Sequence, residues 1–208
     1  MEEQIMNMPA VALRGLTILP GMIAHFDISR ERSLRAVEEA MEQDQKIYLV
    51  TQRNVDSEDP TQEDLYQMGI VADIKQVVRL QNDVVRILVD GISRAALLGF
   101  TGNEKYLEAE ICYCDSNADS LPEDLREAML LGVREAFHRY AAVVGKISKE
   151  LIRQIDQYED LEKLIDYVTN NLPVSYELKQ QVLEAEDIND RYQAVSYTHL
   201  TLPTILLV

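Results

Sequence analysis

The sequence predicts an α+β protein in which a small β-structure built around one helix is followed by an α-helical bundle. Two observations carry this. Short apolar runs separated by turn residues fill the chain to about residue 113, interrupted by a single helical period. The composition then shifts at residues 115–122, and apolar stripes at helical spacing continue to about residue 195.

Residues 9–13 and 16–19 are brief apolar runs divided by Arg14-Gly15 and closed by Pro20-Gly21, both turn signals. After residues 27–29 a helix begins, with Leu34, Val37 and Met41 on one face and Glu38, Glu39 and Glu42 on others, and with Ser29 as its cap. Residues 47–50 are apolar and partly β-branched, which suits a strand covered on both faces. A polar loop spans 53–60, Thr61 caps a short turn, and Gly69 opens a strand over 70–80. Gln81-Asn82-Asp83 reverses the chain into a returning strand over 84–89. Strands over 92–100 and 106–113, separated by Thr101-Gly102-Asn103, complete a closed or half-closed β-structure that hides its edges.

In the second part Leu125, Met129, Val133, Phe137, Tyr140 and Val144 form one stripe. Ser120 caps it, Pro122, Glu123 and Asp124 suit its first turn, and Gly145 ends it. Ser148 starts a second helix around Leu151, Ile152 and Ile155, a third carries Leu161, Leu164, Ile165 and Val168, Ser175 opens a fourth, and residues 187–191 begin another. Residues 196–208 have no charge and no helical period; they resemble a read-through tail and are set apart from the fold. The expected organisation is a β-rich lobe over 1–116, a helical subdomain over 117–195, and a non-native tail over 196–208.

Composition excludes several functions. With 36 acidic and 20 basic residues the net charge is −16, and the acidity is shared: 11 bases against 20 acids up to residue 115, 9 against 16 after it. No clustered basic stripe exists to neutralise phosphates, so nucleic acid is not an expected partner, and an anionic membrane surface is disfavoured for the same reason. The N-terminus lacks the pattern of a signal peptide, and the uncharged run 192–208 is shorter than the roughly 20 residues that span a bilayer. Cys112 and Cys114 are too few and too close for a disulfide framework, which fits a reducing cytoplasm.

Reactive constellations are equally thin. His25, His138 and His199 have no Cys or acid at ligand spacing, and the two cysteines, aimed at one face of a strand, read as small buried hydrophobes. Neither phosphate-loop pattern occurs, since Gly145-Lys146 is followed by Ile147, and GxSxG is missing. No catalytic, cofactor-binding or metal-binding residue is assigned.

The order of segments is more informative. Val11-Ala12-Leu13-Arg14-Gly15-Leu16-Thr17-Ile18-Leu19-Pro20-Gly21-Met22, then Ile28-Ser29-Arg30-Glu31-Arg32-Ser33, Ala40-Met41 and Lys46-Ile47-Tyr48-Leu49-Val50-Thr51-Gln52, resembles the N-terminal domain of the ATP-dependent protease Lon. The likeness continues through Asp59-Pro60, Asp64-Leu65-Tyr66, Met68-Gly69-Ile70-Val71-Ala72, Val89-Asp90-Gly91 and Arg94-Ala95, and in the helical half through Asp160-Leu161, Asn171-Leu172-Pro173 and Lys179-Gln180.

This resemblance covers about residues 9–195. It implies a PUA-like β-lobe, a helical subdomain, and a part in capturing substrate and supporting assembly for an enzyme that degrades misfolded and regulatory proteins. It also implies unfolded or misfolded polypeptides and further Lon subunits, a hexamer in the family, as partners. ATP and Mg²⁺ belong to the family's ATPase module, and no position here matches that module or the Ser-Lys protease. A free-standing adaptor with the same domain is the alternative, and RNA binding a third reading that the acidic charge disfavours.

A receptor for unfolded chains needs accessible apolar surface, because exposed hydrophobic side chains distinguish a damaged protein from a folded one. Leu16, Met22, Ile23 and Phe26, which flank Pro20-Gly21, are the first candidates for substrate contact. The charged start of the first helix, Arg30, Glu31, Arg32 and Arg35, supplies the second group.

Overall fold

The computed structural model describes residues 5–114 and 121–198, with backbone alone at 197 and 198. It divides into two compact units, 1–115 and 116–208. The first contains β1 (Ile5–Leu13), β2 (Ile23–Ile28), α1 (Glu31–Glu42), β3 (Lys46–Thr51), a short 3-10 turn (Gln62–Asp64), β4 (Met68–Arg79), β5 (Val85–Phe100) and β6 (Glu108–Tyr113). The second contains α2 (Glu123–Val144), α3 (Lys149–Gln157), α4 (Leu161–Asn171), α5 (Tyr176–Glu184) and α6 (Ile188–Thr198). The α+β class, with β-lobe first and helices second, is as the sequence predicts.

In the β-lobe the strand order is β2-β5-β4-β3-β1-β6, and β6 pairs with β5 as well as with β1, so the sheet closes on itself. The long strand β5 makes this closure. Its first half, from Val85 to Asp90, pairs with β2, and its second half, from Ala95 onward, pairs with β6 along the same edge. Closure through β5–β6 pairs the edge of β6 that would otherwise be open, while β2 pairs with β5 alone among the described residues.

Strands β1 and β3 run parallel, Ala10 opposite Tyr48 and Leu13 opposite Thr51. From Met8 onward in β1, and from Ile47 in β3, both are covered on both faces. One face contributes Val11, Leu13, Ile47 and Leu49 to a core shared with Ala36, Val37 and Ala40 of α1. The other contributes Met8, Ala10, Ala12, Tyr48 and Val50 to a second core with Ala95, Leu97 and Ile111. That double burial is why 47–50 reads as an unbroken apolar run.

Several local expectations are corrected. Residues 16–19 form no strand; Thr17, Ile18 and Leu19 are buried irregular chain held beneath the sheet. Residues 23–28, for which no strand was expected, form β2. The helix cap is Arg30 rather than Ser29, with no side-chain hydrogen bond, and the buried face of α1 runs Ser33, Ala36, Val37, Ala40, leaving Met41 40% exposed. The break expected near Gly91 is absent, since β5 continues through it. The expected turns at 61–65 and 81–83 are present. The Thr61 amide and hydroxyl both donate to the Asp64 carboxylate, at 2.9 and 3.0 Å, and Asn82 and Asp83 adopt positive φ.

In the helical unit, α2 buries Met129, Leu130, Val133, Ala136 and Phe137, while Leu125 and Val144, expected on its stripe, are 43% and 41% exposed. Gly145 closes it in the left-handed conformation, φ 66°, its amide bonded to the Ala141 carbonyl. The Ser148 hydroxyl accepts from the Leu151 amide at 3.1 Å and caps α3, and the Asp160 carboxylate does the same for α4. The expected Ser120 cap lies outside the described residues, as does most of the segment set apart as a tail. Residues 196–198 of that segment continue α6, so the helix outlasts the change in residue pattern at 195.

Candidate functional site

The end of β1, the inner side of β2 and the start of α1 enclose a cleft of about 200 Å³. Its walls include Leu16 and Phe26, two of the residues singled out from the sequence, beside Val11 and Leu13. Gly15, at φ +62°, turns the chain so that Leu16 folds back over the lobe, and the Thr51 hydroxyl holds the Leu16 carbonyl at 3.0 Å. Leu16 and Phe26 are half-buried: each packs on the core and leaves part of its surface to the cleft.

Arg30 also lines this cleft. Its Nη1 donates to Gln52 Oε1 and its Nη2 to the Ser57 carbonyl, both at 2.9 Å. Arg14, another lining residue, donates to the same Ser57 carbonyl at 2.8 Å. The buried Gln52 reinforces that loop, its amide donating to the carbonyls of Asn54 and Ser57. Partial burial, and then the neighbouring Arg14 charge, push the Arg30 guanidinium below its ordinary pKa, while Asp59 and Glu58 act in the opposite sense.

The other candidates lie elsewhere on the lobe. Arg32 pairs with Asp59 at 3.3 Å and reaches the Asn103 carbonyl, and Arg35 pairs with Glu31 one helical turn away on the exposed face. Exposed pairs of this kind contribute little stability. Met22 is half-buried against the core. Ile23 opens β2 opposite Asp90 and is 69% exposed, more than any other large hydrophobic side chain among the described residues. Thus the structure brings Leu16, Phe26 and Arg30 together and leaves Met22, Ile23, Glu31, Arg32 and Arg35 outside the cleft lining.

A second cleft, of about 240 Å³, was not foreseen. It lies between α1 and the tip of the β4–β5 hairpin, with Leu34, Val37, Val77, Leu80 and Val85 as its apolar lining. Glu38 and Arg79, also in the lining, face each other across it at 3.4 Å. The available signal was the set of apolar residues flanking the polar turn 81–83, but its partner on α1 is distant in sequence.

Of the reactive residues, Cys112 is buried, Cys114 half-buried, and neither forms a disulfide. His138, which has no acid at ligand spacing in the sequence, meets one in the fold: its Nε2 lies 2.8 Å from Asp156 Oδ1, joining α2 to α3. His25 is exposed on β2 and His199 lies outside the described residues. Among the described residues, no group of three or more His, Cys, Asp or Glu is arranged to hold a metal ion, and no helix is long and apolar enough to cross a membrane.

Residues 7–198 match the family model of the ATP-dependent protease La (LON) substrate-binding domain. The chain belongs to the Lon substrate-binding domain family. Among similar proteins, the Lon protease of Lachnoclostridium phytofermentans is 36% identical over 193 residues, covering 93% of this chain and 24% of that protein. The Lon protease of Clostridioides difficile is 35% identical over 192 residues, covering 91% and 24%. The chain therefore spans about a quarter of the length of these Lon relatives.

Two solved structures share the Lon N-terminal fold. The N-terminal domain of the Mycobacterium avium complex Lon protease aligns with a TM-score of 0.76 at 18% identity, over 93% of this chain and 100% of that one. The Lon N-terminal domain protein from Xanthomonas campestris aligns at 0.61 and 13% identity, over 90% and 95%.

Proposed function

We propose that this chain is the client-capturing domain of a Lon-type ATP-dependent protease. It takes up unfolded or misfolded polypeptide and passes it to ATPase and protease modules carried on the remainder of a longer protein. The observation that carries this reading is the combination of the family match with apolar side chains left accessible on the β-lobe. Leu16 and Phe26 stand in one cleft, Leu34 and Leu80 in another, and Ile23 projects from the sheet. Such surface is what an extended, hydrophobic client segment requires, and small separate clefts fit weak, sequence-tolerant binding.

On this reading the chain binds without catalysing. The sequence contains neither a phosphate-loop pattern nor GxSxG, and the chain's span of a quarter of its relatives leaves the chemistry to other modules. ATP and Mg²⁺ act there, the setting is the cytoplasm, and neighbouring subunits assemble through the complete protein. The charge of −16 opposes nucleic acid and anionic lipid as partners.

The test compares binding of the 208-residue chain to one protein in its folded and permanently unfolded forms, with ATP hydrolysis and peptide cleavage assayed alongside. Preference for the unfolded form, without ATP turnover or cleavage, is the expected result. Equal affinity for both forms, or intrinsic turnover, would overturn the proposal.

A further inference from the structure

The first cleft combines apolar walls with two neighbouring guanidinium groups. Arg14 and Arg30 converge on the single carbonyl of Ser57 at 2.8 and 2.9 Å, and neither forms an ion pair among the described residues. Of the acids nearby, Glu58 acts on Arg30 only through space and offsets part of this charge, while the other two are engaged by other arginines. Asp59 pairs with Arg32 at 3.3 Å, and Asp27, which also lines the cleft, holds Arg86 through both oxygens at 2.7 and 2.8 Å. In a chain of net charge −16, two adjacent guanidinium groups bonded only to neutral acceptors are conspicuous.

Each guanidinium has five N–H donors; Arg30 uses them on Gln52 and Ser57 and Arg14 on Ser57, so donors remain for a planar anion. Burial first and the repulsion of Arg14 second depress Arg30, and a negative charge entering beside both guanidiniums offsets that repulsion. Beside this charge stand Val11, Leu13, Leu16 and Phe26. At about 200 Å³ the cleft is smaller than the roughly 300–1,000 Å³ of ordinary ligand pockets and suits one residue rather than a run of chain. A residue that offers an apolar side chain and a carboxylate on the same Cα is the last residue of a polypeptide.

The geometry points to a site for the C-terminal residue of a client: an apolar side chain against Leu16 and Phe26, and the free α-carboxylate on Arg14 and Arg30. This inference rests on the client-capturing reading and deepens it by naming which part of a client this cleft selects.

The test titrates the 208-residue chain into a labelled peptide ending in leucine, prepared as the free acid and as the C-terminal amide. A third peptide carries an internal aspartate beside leucine and an amidated end. The free acid is expected to bind about tenfold more tightly than the amide, the scale of a charge-assisted hydrogen-bonded pair, with the internal aspartate peptide behaving like the amide. Added salt reduces the preference, and Arg14→Gln or Arg30→Gln lowers the affinity for the free acid to that for the amide.

Equal binding of acid and amide overturns the inference, as does an internal aspartate that binds as well as the free acid. Variants that weaken acid and amide alike also overturn it, because the arginines then only support the 53–57 loop. If Arg30→Gln fails to fold, Arg14→Gln, whose hydrogen bond to Ser57 is exposed, decides alone. An unfolded client with a blocked C-terminus separates the two proposals. Binding to it combined with equal affinity for acid and amide removes this inference and leaves the capture function standing; loss of binding to every unfolded client removes both.

Discussion

The Gly21 amide donates to the Gly91 carbonyl at 2.8 Å, and the Gly91 amide donates in turn to the Met22 carbonyl at 3.0 Å. This clasp lies where β5 leaves β2 and turns towards β6. Gly21 occupies φ +72°, and a Cβ on Gly91 would stand 2.4 Å from the Leu19 carbonyl oxygen and 2.9 Å from Ile70 Cδ1. The Pro20-Gly21 turn thus depends on a bare backbone at position 91.

Gly91→Ala is therefore expected to destabilise the β-lobe. Overpacking typically costs about 1–3 kcal/mol, and a backbone oxygen has less freedom to move than a side chain, which puts this variant near the upper end. Urea unfolding followed by circular dichroism measures it; a midpoint equal to wild type would contradict the clasp.

Tyr48 is fully buried and its hydroxyl donates to the Ala95 carbonyl at 3.0 Å, linking β3 to β5 across the second core. Tyr48→Phe removes this donor at a cost of about 1–2 kcal/mol. Burial holds the phenol well above its ordinary value of 10.0. The neutral form is favoured in the folded state, so the associated stability is present below about pH 10, the unfolded value, and is lost as pH rises above it. Alkaline titration of unfolding should show a steeper decline for wild type than for Tyr48→Phe.

Ile23, 69% exposed, offers apolar surface with little structural duty. Ile23→Ser, which places no charge opposite Asp90, should change stability by less than about 1 kcal/mol, yet weaken capture of unfolded protein by about tenfold, since burying an aliphatic side chain contributes roughly 1.5–3 kcal/mol. Anisotropy with an unfolded client checks this. Unchanged affinity would remove Ile23 from the contact surface.

In the helical unit, Arg191 is 4% exposed, pairs with Glu162 at 3.1 Å and donates to the Ala185 and Glu186 carbonyls. It ties α6 to α4 and to the turn after α5. Arg191→Ala should cost about 3 kcal/mol, because it leaves Glu162 and two carbonyls without this donor, and Arg191→Lys should recover only part of it. Thermal unfolding of both variants provides the measurement.

Elements with strong local signals were legible in the sequence. Residues 47–50 announced β3 by an unbroken apolar run, and Ser148 with Gly145 marked the boundary between α2 and α3 through capping chemistry. Strand β2 was missed although Ala24, Phe26 and Ile28 alternate with His25 and Asp27, because the run is short and the exposed Ile23 breaks the alternation at its start. Asp90-Gly91 carries the chemistry of a turn, yet distant partners, Met22 and Leu19, require glycine there inside a continuous strand. At the candidate site, Leu16, Phe26 and Arg30 stood out locally, whereas the contribution of Arg14 and the cleft beneath the hairpin did not.

By itself the sequence determined the order of strands and helices, the acidic character and the likeness to the Lon N-terminal domain, since propensity, capping and charge act over a few neighbouring residues. Only the tertiary structure decided that β5 closes the sheet and that Arg14 and Arg30 meet on the Ser57 carbonyl beside an apolar cleft. Hydrogen-bond partners and loss of solvent are set by segments far apart along the chain, and those become neighbours only when it folds.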